Sequence, residues 1–163
     1  MYKRSCLCAC LFIALVWLVP ATASAQSKPI QLSLFTPVQI YPEATPISGL
    51  RLNVLYGRNV YVHGVDIGLV NHTTTGHFEG AQFGVVGIAD ADFDGYQDNW
   101  VNVVKGKVTG FQAGIVNYAV NASGFQLAVV NYAGTMHGLQ IGLVNIIGQG
   151  GQFPVFPFVN WSF

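Results

Sequence analysis

One acidic turn is the strongest candidate for metal chemistry in the sequence. Its carboxylates lie close together and a glycine follows the third of them: Asp90, Asp92, Asp94 and Asp98. Alternating carboxylates ahead of a glycine can turn several oxygens toward one hard cation, as in a calcium loop. Such a loop also needs Glu at its twelfth position, where this chain has Val101. The turn supports two hypotheses, a weak calcium site or a solvated acidic turn, and Asp and Gly are ordinary turn residues.

The other reactive side chains match no catalytic or zinc-binding motif. The histidines lack metal-ligand spacing, and we interpret all four as surface turn residues: His63, His72, His77 and His137. No serine lies in a GxSxG elbow or beside an evident base. We therefore expect a non-enzymatic protein, with calcium at the acidic turn as the one candidate cofactor.

The composition argues against an ordinary soluble enzyme. Of 163 residues, 52% are hydrophobic and 9% are charged, and the formal net charge is zero. Soluble domains average about 25% charged residues. A neutral chain also offers no electrostatic attraction for nucleic acid.

The first 25 residues read as a signal peptide that is cleaved before Gln26. Lys3 and Arg4 precede an apolar run from Leu11 to Val19, and Ala23 to Ala25 supplies small residues for cleavage. The alternative is an uncleaved anchor helix. The chain's cysteines, Cys6, Cys8 and Cys10, all lie in this segment, so the mature chain would have neither disulfides nor thiol chemistry. We assign 26–48 to a proline-containing N-terminal strand or cap, and 49–163 to a β-repeat domain.

A repeat of 14–16 residues must position all of these side chains. Units that begin with Gly and end with Asn start at Gly49, Gly64, Gly80, Gly95, Gly110, Gly124 and Gly138, and a degraded eighth copy runs from Phe153 to Asn160. Within the units, Gln recurs at one position and a small residue at another. If equivalent strands stack in register, the Gln row could form an amide ladder. The Asn row has two exceptions, Tyr56 and Gly87.

The pattern within a unit predicts an all-β fold. Leu139, Ile141 and Leu143 alternate with Gln140, Gly142 and Val144, which is the period of a strand. Short turn segments separate the units. Each unit should therefore contain a strand of about eight to eleven residues.

Two architectures fit this repeat. A parallel β-solenoid explains why every unit has the same direction, and the prolines near both ends resemble caps. A small antiparallel outer-membrane barrel also matches the strand length, and its last strand would end in Phe163. The recurring aromatics Trp100, Phe111, Tyr118, Phe125 and Tyr132 would form a carbohydrate-stacking ladder, a membrane-interface belt or a packed sheet surface. We favour the solenoid slightly.

The units Gly138–Asn145 and Pro157–Phe163 resemble a family of bacterial surface repeat proteins built from GLQIGLVN-type units. The segments from Gln31 to Gln39 and from Gly49 to Asn53 look like that family's N-terminal part, whereas Asp98 and Asn99 depart from its pattern. The resemblance implies an exported protein of the cell surface or outer membrane, with the bacterial envelope as partner, and carries no reaction. We expect a structural or adhesive role, or, for a barrel, an anchor or a small-solute pore.

Overall fold

The computed structural model describes residues 26–163, so the predicted signal peptide lies outside the described residues. The strands are β1 (Lys28–Phe35), β2 (Val38–Gln39), β3 (Ile47–Asn59), β4 (Val62–Thr73), β5 (Phe78–Ala89), β6 (Phe93–Ala113), β7 (Val116–Leu127), β8 (Val130–Gln149) and β9 (Val155–Ser162). Within this range no helix is long and apolar enough to span a bilayer. Most strands exceed the expected length, because the chain continues around a corner without leaving strand geometry.

All nine strands form one continuous sheet in the order β2-β1-β3-β4-β5-β6-β7-β8-β9. Along this sheet order, every neighbouring pair from β1–β3 to β7–β8 is parallel. Equivalent residues of successive units lie side by side, as Gln112 does with Gln126. This pairing confirms the parallel β-solenoid. The barrel alternative is wrong, because it requires neighbouring strands to run in opposite directions.

The glycine that opens each unit marks a corner where successive rows touch. These corner glycines are Gly49, Gly64, Gly80, Gly95, Gly110, Gly124 and Gly138, and their φ angles lie between +127° and +148°. Side chains rarely adopt this conformation. A Cβ on Gly124 would overlap the carbonyl oxygen of Gly110 in the row before it. Both backbone angle and space therefore require glycine at this position.

The Gln row lies inside the solenoid and forms the expected amide ladder. Each Nε2 group donates to the Oε1 of the preceding row, from Gln140 through Gln126 and Gln112 to Gln97 and Gln82, at distances of 2.7–2.9 Å. All five side chains are buried. Because a buried amide without a partner is costly, the ladder penalises any slip in register.

A buried ion pair sets the direction of this ladder at its first rows. Gln82 Nε2 donates to Asp66 Oδ2 at 2.9 Å, and Asp66 also accepts two hydrogen bonds from the Arg51 guanidinium at 2.6 and 2.8 Å. An ionised carboxylate only accepts hydrogen bonds. Gln82 must therefore present its NH₂ group to Asp66 and its oxygen to Gln97, and every later row follows. The last oxygen, Gln140 Oε1, has no protein partner.

The Asn row forms a second ladder that runs the opposite way. Asn102 Nδ2 donates to Asn117 Oδ1, Asn117 to Asn131, and Asn131 to Asn145, at 2.8–3.0 Å. Each donation is toward the next row rather than the preceding one. The same amides also bond carbonyl oxygens at the bends, such as Ala113 O for Asn102 at 2.6 Å.

The two exceptions in the Asn row share one explanation. Gly87 leaves an interior space that the side chain of Asn99 fills from the next row, donating to Asn102 Oδ1 at 2.7 Å. A Cβ on Gly87 would collide with Gln82 Oε1 and with that amide. The other exception was misplaced at Tyr56, because a bulge in β3 sets Gly57 opposite Asn71. There, Asn53 of the same row fills the space above Gly57.

The apolar interior is confined to the row ends, on either side of the two ladders. Its members are small or of medium size except for two stacked rings: Ile47, Val62, Phe78, Ala89, Phe93, Val104, Val108, Ala119, Ala122, Ala133, Met136 and Ile147. The rings of Phe78 and Phe93 lie 4.4 Å apart and nearly parallel. The core therefore combines amide ladders with thin apolar columns.

Antiparallel strands close both ends of the stack. At the first end, β2 returns against β1, so the segment 26–48 contributes a parallel row as well as a cap. At the other end, β9 pairs antiparallel with β8, which corrects the expected eighth parallel unit. The chain reverses at Gly150, and Asn160 consequently lies opposite Gln140 rather than Asn145. Pro157 falls in a bulge of this edge strand, where it is tolerated.

Candidate functional site

The four carboxylates of the acidic turn do not converge on one point. Asp90 lies beside Lys105 and His72, Asp92 accepts a hydrogen bond from the Lys107 backbone N–H at 2.7 Å, and Asp94 contacts His77 at 3.1 Å. Asp98 accepts from the Tyr96 hydroxyl on a different side of the unit. Among residues 26–163, no three acidic, His or Cys side chains gather closely enough to hold a metal ion.

Strand geometry explains why these carboxylates separate. Asp90 and Asp92 lie between β5 and β6, whereas Asp94 and Asp98 lie on β6 on either side of the corner glycine Gly95. A strand rises about 3.3 Å per residue, so the four residues from Asp94 to Asp98 span roughly 13 Å. The arrangement is that of a solvated acidic turn whose charges are shared among neighbouring rows. Calcium binding by Asp90, Asp92, Asp94 and Asp98 stays a prediction, which titration calorimetry with calcium would decide.

A polar cluster outside the two ladders joins four rows around His72. Its Nδ1 lies 2.8 Å from the Tyr56 hydroxyl, and its Nε2 lies 2.8 Å from Asp90 Oδ2. Lys105 completes the cluster, with its ammonium 2.8 Å from Asp90 Oδ1. The order hydroxyl, imidazole, carboxylate resembles a nucleophile with an oriented base.

The protonation preferences of this cluster do not favour an activated tyrosine. Burial raises the pKa of Tyr56, and the partly opposing charges of Arg58 and Glu43 leave it above its ordinary value. The phenol therefore stays protonated and can donate its hydrogen to His72 Nδ1, with Nε2–H of the same ring pointing to Asp90. Partial burial alone would raise the pKa of Asp90, but hydrogen bonds from Lys105 and His72 outweigh it and lower that pKa. The cluster binds rows together rather than generating a nucleophile.

Two further histidines also pair with acids of the next row. His63 lies 3.0 Å from Glu79, its in-register neighbour, and His77 lies 3.1 Å from Asp94. The interpretation of all four histidines as turn residues was wrong for His63, His72 and His137, which lie within β4 and β8. The signal was present in the period: each partner follows its histidine by about one unit, which is the distance between neighbours in a stack.

The dominant surface feature is a broad apolar side that we call the outer face. It consists of the residues one, three and five positions after each corner glycine, which point away from the Gln ladder. They are Leu50, Leu52, Val54, Val65, Ile67, Leu69, Ala81, Phe83, Val85, Tyr96, Asp98, Trp100, Phe111, Ala113, Ile115, Phe125, Leu127, Val129, Leu139, Ile141 and Leu143. Asp98 is their one charge. The repeat is thus inverted relative to a usual solenoid, with amides inside and large apolar side chains outside.

Aromatic rings stack from row to row on the outside of the solenoid. Tyr96, Phe111 and Phe125 form a continuous column with ring centroids 5.4 Å apart. On another side, Tyr118 and Tyr132 stack at 5.0 Å. In-register pairing brings these rings together, and each contact contributes to stability beyond the area that it buries.

Two shallow apolar grooves lie on the outer face near the ends of the stack. One has a volume of about 520 Å³ and runs between Leu127 and Leu143, with Gly114, Ala128 and Gly142 along its floor. The other, of about 480 Å³, is bordered by Leu32, Leu52 and Val54. Both follow the small-residue row of the repeat. The row that contains Asp98 and Trp100 lies between them.

No known protein family, curated protein or solved structure matches this chain. The function is therefore inferred from the described residues themselves. Their arrangement offers a long, nearly uncharged surface, and in the cluster that joins a hydroxyl, an imidazole and a carboxylate the raised pKa of Tyr56 keeps the phenol protonated.

Proposed function

We propose that the protein is a non-enzymatic, exported β-solenoid of the bacterial cell surface or outer membrane, with a structural or adhesive role. The observation that carries this proposal is that the inward and outward side chains of each strand have different chemistry. Inward side chains are committed to ladders and thin apolar columns, so they maintain the fold. Outward side chains form an extended apolar surface that suits contact with another large body rather than with a small polar substrate.

The N-terminal segment and the repeat pattern support an envelope location. Residues 1–25 have the composition of a secretory signal, and the GLQIGLVN-type units resemble bacterial surface repeat proteins. A repeat domain without disulfides is compatible with both the cytoplasm and an exported location. The proposed export therefore depends on residues 1–25. The partner that we propose is the bacterial envelope, and nucleic acid is not a partner because exposed cations are few and two of them, Arg58 and Lys105, pair with acids.

Cell fractionation of the full-length protein tests the proposal. We expect the processed chain to begin at Gln26, to fractionate with the envelope, and to be cleaved when intact cells are treated with protease. Leu15→Arg is the matched control, because it interrupts the apolar run of the leader without touching residues 26–163. This variant should stay unprocessed inside the cell. An unprocessed wild-type chain in the soluble cytoplasmic fraction would contradict the proposal.

A further inference from the structure

The outer face exposes more apolar surface than a solitary protein usually does. Side chains across it are about half exposed, from Val54 and Leu69 in early rows to Trp100 in the middle row and Val129 and Leu143 in late rows. Eleven of the 21 side chains are 37–62% exposed. An aromatic side chain has about 150–250 Å² of surface, so half exposure leaves roughly 100 Å² on each large side chain and on the order of 1,000 Å² in total. The largest apolar patch of a typical monomer is about 300–600 Å².

The size of the outer face matches what a stable dimer buries. A standard interface covers about 800 Å² on each partner. The face is also part of one regular sheet, and two sheets can pack face to face with interdigitating side chains about 10 Å apart. The shallow grooves at both ends, bordered by Leu52 and Leu127, give such interdigitation room.

The charges on this side favour a protein partner over a lipid one. Asp98 lies in the middle row. Hydrocarbon would remove water from its carboxylate at a cost of about 2.5–3.5 kcal/mol, whereas interfaces between proteins commonly retain water around such groups. The positions just before the corner glycines, at one border of the face, carry no Lys or Arg that could bind an anionic headgroup. They include Glu79 and Asp94, and of their two histidines His63 lies 3.0 Å from Glu79. Exposed Arg58 and Lys105 lie near the opposite row ends and are paired with acids of the same chain.

We infer that two copies of this chain pack through their outer faces as a symmetric dimer. Such an isologous contact uses the same patch on both copies, so residues near the two-fold axis face their own counterparts. With the axis near the centre of the face, Asp98 of one copy lies close to Asp98 of the other. The carboxylate then weakens the dimer and limits its affinity.

Analytical ultracentrifugation of the full-length protein, in buffer without detergent, tests this inference. Val129→Glu places a charge on the outer face, and Val120→Glu places the same charge on the opposite side; the two valines are 45% and 39% exposed. We expect Val129→Glu to raise the dimer dissociation constant at least tenfold and Val120→Glu to change it less than twofold. Asp98→Asn should lower it about fivefold or more.

Circular dichroism of each variant separates a lost interface from a lost fold, and Asp98→Asn adds a gain that misfolding cannot produce. A wild-type protein that stays monomeric at a concentration of about 100 µM would overturn the inference, because its free energy of dimerisation would then be weaker than that of micromolar binding. Equal weakening by both glutamate variants would also overturn it. A third contradicting result would be a monomeric wild-type protein that floats with neutral phosphatidylcholine vesicles and loses this flotation in Val129→Glu. The outer face would then bind lipid rather than a second copy.

Discussion

The contact between corner glycines gives the sharpest prediction about stability. Gly124 has φ +130° and lies against Gly110 of the preceding row. In Gly124→Ala, the new Cβ would lie 3.0 Å from the carbonyl carbon of Gly110. It would overlap the carbonyl oxygen, because its distance to that oxygen would be well below the about 3.3 Å at which carbon and oxygen normally meet. The rows must therefore move apart at this corner, or the backbone angle must change.

Two other glycines separate the sources of the cost. Gly150 has φ +74°, but a Cβ there would meet nothing within 4 Å, so Gly150→Ala adds backbone strain alone, about 1–2 kcal/mol. Gly148 has no left-handed backbone, and its nearest neighbour would be Gly134 O at 3.0 Å, so Gly148→Ala should stay within about 1 kcal/mol of wild type. Gly124→Ala combines strain with overpacking, about 2–6 kcal/mol in total.

Urea unfolding followed by the strand signal in circular dichroism measures the three free energies. We expect the loss of stability to increase in the order Gly148→Ala, Gly150→Ala, Gly124→Ala. If Gly124→Ala unfolds within about 0.5 kcal/mol of Gly150→Ala, the close approach of rows at the corner glycines is wrong.

Three further predictions concern the interior and the His72 cluster. Gln112→Met leaves one donor and one acceptor of the Gln ladder buried without partners. It should lower the free energy of unfolding, measured in urea, by about 2–5 kcal/mol, and a decrease of less than about 0.5 kcal/mol would contradict a closed ladder. Gly87→Asn should destabilise strongly alone, because its Cβ meets Gln82 Oε1 as well as the Asn99 amide, and less strongly together with Asn99→Gly, which removes one of the two clashes. The double-mutant cycle should give a coupling of about 1–3 kcal/mol, and purely additive effects would refute the shared space. The pKa of Asp90 is lowered in the folded state, so its contribution to folding stability is present above about pH 4 and is lost as the pH falls through the folded pKa. The melting temperatures of wild type and Asp90→Asn should therefore differ at neutral pH and converge in acid. A difference that does not change with pH would argue against the ion pair.

The sequence predicted the architecture because the repeat is directional. A unit that always begins with Gly and ends with Asn stacks in register only when neighbouring strands are parallel, and the Gln row then forms a ladder. The last unit was predicted wrongly, since its residues from Phe153 to Asn160 imitate the pattern while the chain reverses. Nothing in the local pattern of that segment distinguishes a parallel row from an antiparallel cap.

The assignment of sides within a unit was beyond the sequence pattern. Alternation of Leu139, Ile141 and Leu143 with Gln140 suggests that the apolar set faces a core, yet the structure places the amides inside. A stacked amide bonds its counterpart above and below, so a buried Gln row carries no unsatisfied cost, and only the three-dimensional stack reveals this. Leu143 and Val144 are consecutive and both exposed, so the period of two ends between them.

Disulfide trapping between neighbouring units tests the parallel stack most directly. Ser123 and His137 are in-register neighbours on β7 and β8, and parallel strands about 4.8 Å apart satisfy the geometry of a disulfide. In a background where Cys6, Cys8 and Cys10 are replaced by Ser, the pair Ser123→Cys and His137→Cys should cross-link within one chain upon mild oxidation. The pair Ser123→Cys and Ile146→Cys would be opposite each other in an antiparallel arrangement of the same units, and it should not cross-link. Efficient trapping of the second pair, and not of the first, would contradict the β-solenoid.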